Sequence, residues 1–456
     1  MDILDSALGA DIKKISANDK ALSMYYWSAD IHCSDDLTVP AFKVLSIDFI
    51  CDYTNKFSDE IILQITIGGG TYAYQIYPCL NKLEITLYKI PVNEVGGGNL
   101  DGAPAQSERY VATLVKPWNP VIEGNTYNQP DQMAMDLTNL LTIDIQLIPK
   151  SVDQLRMRTF GGILRNTTVQ DAIKSVLTNE SKIIKADSQA TPTGVEMVAA
   201  NNTAKREHIL IPQGTRLVDV PGYIHKKCGG VYNAGFAYYF LNDTWFVFPP
   251  YNNVDFNKAK RTITLIRVPP NRMPGTERTY MVAGSAVTAI VTGDTKLNNK
   301  SESMQLNDGN GVRFGDANVV MEDFVKVQGN KATAGRGGSN NEFTSIKRPN
   351  GYNNVTTSDK KITSNPFVEF SDLAKRDGVL LAMSWENSDP TLIYPGMPVK
   401  ILFMEQDDIR ETYGVLIHAH HYVQTMGDGF QTNRHITTSN LSIFTKREID
   451  IGDDGS

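Results

Sequence analysis

Residues 394–446, YPGMPVKILFMEQDDIRETYGVLIHAHHYVQTMGDGFQTNRHITTSNLSIFTK, carry the pattern that decides the fold. Tyr394-Pro395-Gly396-Met397-Pro398 reads as a turn, because proline fixes φ and glycine accepts backbone angles that other residues resist. Val399, Ile401 and Phe403 then alternate with Lys400 and Leu402, which predicts a strand, and Glu405, Asp407 and Asp408 follow as a solvated loop. A second strand is predicted from Glu411 to Met426. Gly427-Asp428-Gly429 offers two residues able to take positive φ and reads as a hairpin tip. The third strand ends Leu441-Ser442-Ile443-Phe444-Thr445-Lys446. Three strands with tight turns make a meander. Pro395, Gly396, Gly427 and Gly429 are its structural turns, and Ile401, Phe403, Leu441 and Ile443 are assigned to its buried face.

Upstream, the same kind of pattern fills residues 35–160. Val44 to Ile50 alternates imperfectly, and Ile61, Leu63, Ile65 and Ile67 share one face with Gln64 and Thr66 on the other. Gly68-Gly69-Gly70 turns the chain and Tyr72 to Tyr77 returns as a strand. Further strands are predicted around Leu83 to Leu87, Tyr110 to Val115 and Leu141 to Ile148. Short strands at this density argue an antiparallel barrel or sandwich. Residues 1–34 are polar and read as an arm leading into it.

The pattern changes over residues 161–260. Thr168 with Asp171 three residues on is an N-cap signal, and Val169, Ala172, Ile173, Val176 and Leu177 fall on one helical face. Ile209-Leu210-Ile211-Pro212 precedes a second helix from about Leu217 to Gly229. An aromatic hairpin follows, Phe236 to Pro249, with Asn242-Asp243 suited to its tight turn. Residues 261–326 return to short strands. Residues 327–391 hold a Gly/Asn/Ser/Thr-rich loop, with a net charge of +4 between Gly329 and Lys361, then a short helix at Ser371 to Arg376 and a strand at Val379 to Trp385. A second barrel is then built from two pieces, 261–326 and the closing meander at 392–446, with residues 447–456 as an acidic tail.

The length of 456 residues predicts two to four domains. Lys+Arg 44 against Asp+Glu 51 gives a net charge of −7, which speaks against a basic nucleic-acid footprint. Cys33, Cys51, Cys79 and Cys228 have no zinc spacing and read as free thiols, consistent with folding in a reducing cytoplasm. The start lacks a signal-peptide pattern, and no stretch reads as a membrane anchor.

His418 and His420, two apart on a predicted strand, share a face and are weak candidates for a metal, with His421, His435 or Glu411 as further ligands. No supporting motif accompanies them, so they read as barrel or interface histidines. Gly68-Gly69-Gly70 lacks the Lys-Ser/Thr of a phosphate loop, and Ser285 lacks the second glycine of a nucleophile elbow. Asp35-Asp36, Glu322-Asp323 and Asp407-Asp408 read as solvated acids rather than a hydrolytic pair. The aromatic run Phe236 to Phe248 reads as core or interface rather than a stacking platform, and the basic loop as solvated rather than DNA-binding. The expectation is no catalytic residue, no cofactor and no metal.

The closing segment, with its Pro-Gly before a short apolar strand (Tyr394 to Phe403), its imidazole-bearing strand (Val415 to His421) and its aromatic-Thr ending (Leu441 to Thr445), resembles the last strands of baseplate hub proteins from contractile-tailed bacteriophages. Val169 to Leu177, Ile211 to Lys227 and Gly235 to Pro249 are similar, in that order, to the insertion module of the same proteins, of phage late control protein D and of the N-terminal part of the type VI spike protein VgrG. The resemblance implies a β-rich α+β fold with two antiparallel tail-tube-like β-barrels and an α/β insertion module. It implies a non-enzymatic homotrimer in the virion tail, assembled in the host cytoplasm, that joins a tail-tube hexamer to a central spike protein beside other baseplate proteins. Genomic DNA would pass through its lumen without specific binding. The alternatives are a tail-tube or tube-terminator protein and a virion-associated peptidoglycan hydrolase.

Overall fold

A computed structural model describes residues 7–17, 25–34, 37–91, 106–115, 139–182, 194–252, 256, 259–273, 278–296, 312–316, 341–345, 367, 371, 374–375, 378–405, 408–426 and 434–446. Helix α1 (Ala7–Ser16) buries Leu8, Ile12 and Ile15, spaced i, i+4 and i+7 on one face. Strands β1 (Tyr25–Ser34), β2 (Leu37–Pro40), β3 (Lys43–Asp52) and β4 (Glu60–Gly68) follow. Where it is described, the expected arm over residues 1–34 is thus a helix and a strand. Ala29, Ile31 and Cys33 alternate inward along β1, a pattern that the consecutive aromatics Tyr25, Tyr26 and Trp27 hide in the sequence.

After β4 the chain does not make the expected glycine hairpin and returning strand. It continues as short helical turns over Gly69–Thr71, Tyr72–Ile76 and Tyr77–Lys82. Tyr72 and Ile76 are buried while Tyr74 is 68% exposed, which a strand cannot give because it would put all three on one face. These turns carry Cys79 back across β1, where it forms a disulfide with Cys33, the Cα atoms 5.4 Å apart. Only Cys51 and Cys228 are the free thiols expected of all four. β5 (Glu84–Pro91), β6 (Gln106–Leu114) and β7 (Leu140–Pro149) complete this part of the chain.

A mixed module comes next: the Lys150–Met157 helix, β8 (Thr159–Thr168), the Val169–Ser181 helix, β9 (Gly194–Met197), β10 (Lys205–Arg216), the Val220–Lys227 helix, β11 (Ala237–Leu241) and β12 (Thr244–Phe248). The Ile-Pro step sits within β10, a strand paired antiparallel with β8. Thr168 caps the longer helix, its Oγ1 accepting the Asp171 N–H at 3.1 Å. Val169, Ile173 and Leu177 on that helix meet Ile209, Ile224 and Trp245 in one core. Each such side chain contributes about 1.5–3 kcal/mol on burial. At the β11–β12 turn Asn242 and Asp243 take φ of 46° and 57°, the paired positive angles that a two-residue hairpin turn requires.

The rest is β13 (Thr262–Arg267), β14 (Tyr280–Ala283), β15 (Ala286–Lys296), β16 (Val312–Asp316), β17 (Asn341–Ser345), β18 (Gly378–Trp385), β19 (Pro398–Glu405), β20 (Asp408–Thr425) and β21 (His435–Lys446). Within the polar stretch read as a loop, β17 pairs in parallel with β16. Half of the expected Ser371 to Arg376 helix lies outside the described residues, as do Asp35, Asp36, Glu322, Asp323, Asp407, Gly427 and Gly429. Among the described residues no helix is long and apolar enough to cross a membrane.

The molecule is β-rich, and most of its strands belong to one large sheet that returns on itself twice. β3, β4, β7, β6, β5, β1, β21 and β20 pair in that order, and β20 returns to β3, so the strands form one closed circuit. β13, β19, β20, β21, β18 and β15 form a second, closed by the parallel pairing of β15 with β13. Ile31, Ile47, Leu63, Ile85 and Ile145 fill the first core, and Leu265, Ala289, Trp385, Ile401 and Phe444 the second. The β20–β21 ribbon belongs to both. The closing meander, expected in the second unit alone, is the seam between two.

Candidate functional site at the shared ribbon

β20 is 18 residues long because it serves two neighbours in succession. Asp408 to Val415 pairs with β19, and His418 to Gln424 pairs with β3. Between Leu416 and His418 the register against β21 shifts, leaving a bulge at Ile417. A bulge bends and twists a strand, here where the ribbon passes from one circuit to the other. The Ile417 carbonyl accepts the Tyr53 N–H at 3.2 Å, which ties the bulge to the chain just after β3.

The turn at Pro395-Gly396 docks on the same place. Gly396 has φ +72°, and its N–H donates to the Leu416 carbonyl at 3.2 Å, while the Leu416 N–H donates to the Met397 carbonyl at 3.0 Å. A Cβ on Gly396 would lie 2.4 Å from the Phe248 ring, so the turn both needs glycine's angles and accepts the aromatic hairpin against its backbone.

The histidines divide by strand parity. His418 and His420 share one face as the sequence implies, and His420 Nε2 lies 2.8 Å from Asp48 Oδ1 on β3. Burial lowers the His418 pKa, against the opposing charge of Asp52. His421 points the other way, into the interior, where Nδ1 lies 2.6 Å from Ser439 Oγ, itself 2.5 Å from Ser388 Oγ. Burial first, and the charges of His420 and His418 second, push its pKa down to about 3. The interior therefore holds a neutral imidazole in a satisfied polar chain. His435 accepts the Trp27 N–H at 3.2 Å on Nδ1 and sets Nε2 3.0 Å from the Val44 carbonyl, bridging β21 to β1 and β3. Glu411 is instead paired with Lys400 at 2.6 Å on the β19–β20 hairpin. Among the described residues no group of three or more His, Cys, Asp or Glu is gathered as a metal set.

Sequence reasoning missed the carboxylates beside this seam. Two cavities of about 400 and 590 Å³ are both lined by Asp59, Glu108 and the hairpin tip Leu241-Asn242. Asp59 accepts the Tyr239 hydroxyl at 2.6 Å, and Glu108 accepts the Tyr110 hydroxyl at 2.7 Å. Desolvation raises the pKa of both, and the charges of Asp243 and Asp59 raise Glu108 further. Lys89 closes the smaller cavity, its Nζ 3.8 Å from the Tyr25 ring centroid and 3.7 Å from Asp389 Oδ1. Asp59 lies just before β4 and Glu108 sits in the exposed first half of β6, so no inward-facing strand pattern marks either one in the sequence. Ser285 lies in the exposed turn between β14 and β15. The aromatic hairpin is a structural wedge, with Tyr239 and Phe248 in the second core and Trp245 in the core of the mixed module.

No family model and no curated protein matches the chain. Among solved structures it is similar to a tail protein from Neisseria meningitidis MC58, at 12% identity over 92% of this chain and 97% of that one, with a TM-score of 0.42. The 43 kDa tail protein of prophage MuSo2 from Shewanella oneidensis is similar at 10% identity over 92% and 96%, with a TM-score of 0.43. A chain of the phage P2 virion baseplate in its activated conformation is similar at 9% identity over 92% and 98%, with a TM-score of 0.30. All three neighbours are tail or baseplate proteins by name.

Proposed function

We propose that the chain is a structural baseplate hub of a contractile phage tail, an adaptor without enzymatic activity. One observation carries this reading: a single chain closes two circuits of strands and locks them together through one ribbon. Read as two tail-tube-like barrels, they give a homotrimer six similar rims. A six-fold tube ring and a three-fold spike cannot mate by matching patches, whereas three chains with two barrels each answer both symmetries. Residues 161–260, the insertion module, would face the spike. Other baseplate proteins would surround the hub in the virion tail, and the genome would pass through its lumen without specific contacts.

Native mass of the purified chain, alone and with its spike protein, tests this. A trimer or a three-to-three complex is expected. A hexamer would instead indicate a tube component, and a monomer indifferent to the spike would overturn the adaptor reading. The cavity-lining carboxylates give the hydrolase alternative its own test: the wild-type chain is expected to release nothing from purified cell walls, and release that is lost on Glu108→Gln would reverse the assignment.

A further inference from the structure

The N-terminal helix crosses from one circuit to the other. α1 leads into β1, a strand of the first circuit, yet Leu8, Ile12 and Ile15 pack on Ile266, Val268 and Ile290 of the second. Those three residues lie on the outside of that circuit, because Leu265, Ala289 and Val291, their neighbours of opposite parity, fill its interior. Residues 17–24 join the helix to β1.

Two features mark this seat as more than a fixed packing contact. The seat is wider than the helix: Met273, Met281, Leu402 and Met404 flank it half-buried, while Ile409, opposite Met404, remains 42% exposed. Methionine-rich apolar surfaces are adaptable ones. The helix itself has 10 residues, too few to persist in water on its own hydrogen bonds, so it depends on a seat. Without a helix, the seat would be an exposed apolar patch of the kind that marks an interaction surface.

We propose that α1 is an exchangeable arm, and that the outer face formed by Ile266, Val268 and Ile290 accepts α1 of a second copy of this chain. The contacts are the same whether the helix comes from its own chain or a neighbour. The balance is therefore set by the link alone, which presents the helix to its own seat at an effective concentration on the order of millimolar. Copies held side by side in an assembly reach comparable local concentrations, and exchange then ties them together without any new surface. The inference stands on the helix and its seat and does not depend on the adaptor reading.

Two measurements test it. A chain lacking residues 1–17 is titrated with a fluorescent peptide of residues 1–17; saturable binding is expected, weakened at least tenfold by Ile12→Asp in the peptide. Absence of saturable binding overturns the seat. Separately, full-length chains carrying Ile12→Cys are mixed with full-length chains carrying Ile290→Cys at high concentration under mild oxidation. A disulfide between copies is expected. A cross-link that forms only when both substitutions share one chain, and never in the mixture, overturns exchange, and this second test holds even if the shortened chain does not fold.

Discussion

At the scale of single residues, the seam rests on groups whose alternatives are sterically or electrically closed. Gly396→Ala forces a Cβ toward the Phe248 ring at a positive φ, and a loss of about 1–3 kcal/mol is expected from chemical unfolding. His421 gives a prediction with a sign. Its ordinary pKa of 6.5 falls to about 3 in the folded state, so between those values the unfolded chain holds the extra proton and stability drops as pH falls. Asp59 and Glu108, whose pKa values desolvation raises, act in the opposite sense, gaining stability as pH falls. A variant isolates the histidine: His421→Gln should flatten the unfolding free energy between pH 4 and 6 by up to about 1.4 kcal/mol per pH unit relative to wild type. An unchanged slope would mean that the imidazole is not held neutral.

At the scale of elements, what the sequence shows locally is what the structure forms locally. Val399 and Ile401 alternate and are buried, Thr168 starts a helix, and Asn242-Asp243 makes a turn, because each depends only on near neighbours. Thr168→Ala should cost about 1 kcal/mol, seen as a lower midpoint in denaturant, whereas a surface change such as Lys174→Ala should cost little. Elements chosen by long-range packing were not legible. Tyr72, Tyr74 and Ile76 fit a strand on parity, but the contacts that bury only two of them make that stretch helical. The pairing of His418 to Gln424 with β3 joins residues about 370 apart, and no local pattern shows it. Asp59 and Glu108 line the same cavities only through such distant packing, and no local pattern around either residue shows it.

At the scale of the whole molecule, sharing the β20–β21 ribbon makes the two circuits one cooperative unit. Trp27 reports on the first core and Trp385 on the second, and fluorescence of single-tryptophan variants should give one common midpoint. Leu63→Ala, a cavity in the first core, should lower that midpoint for both probes, by about 2–5 kcal/mol in stability. Separate midpoints would show that the seam does not couple them. The ribbon also has a direction. Hydrogen bonds between antiparallel strands run perpendicular to the strand axis. A pull along β20 that tries to draw the circuits apart therefore loads the whole row of bonds in shear, rather than opening them one after another as a zipper. The bulge at Ile417 is where that row is interrupted, so tension sufficient to part the molecule should tear it there first, leaving each half of the ribbon still bound to its own circuit.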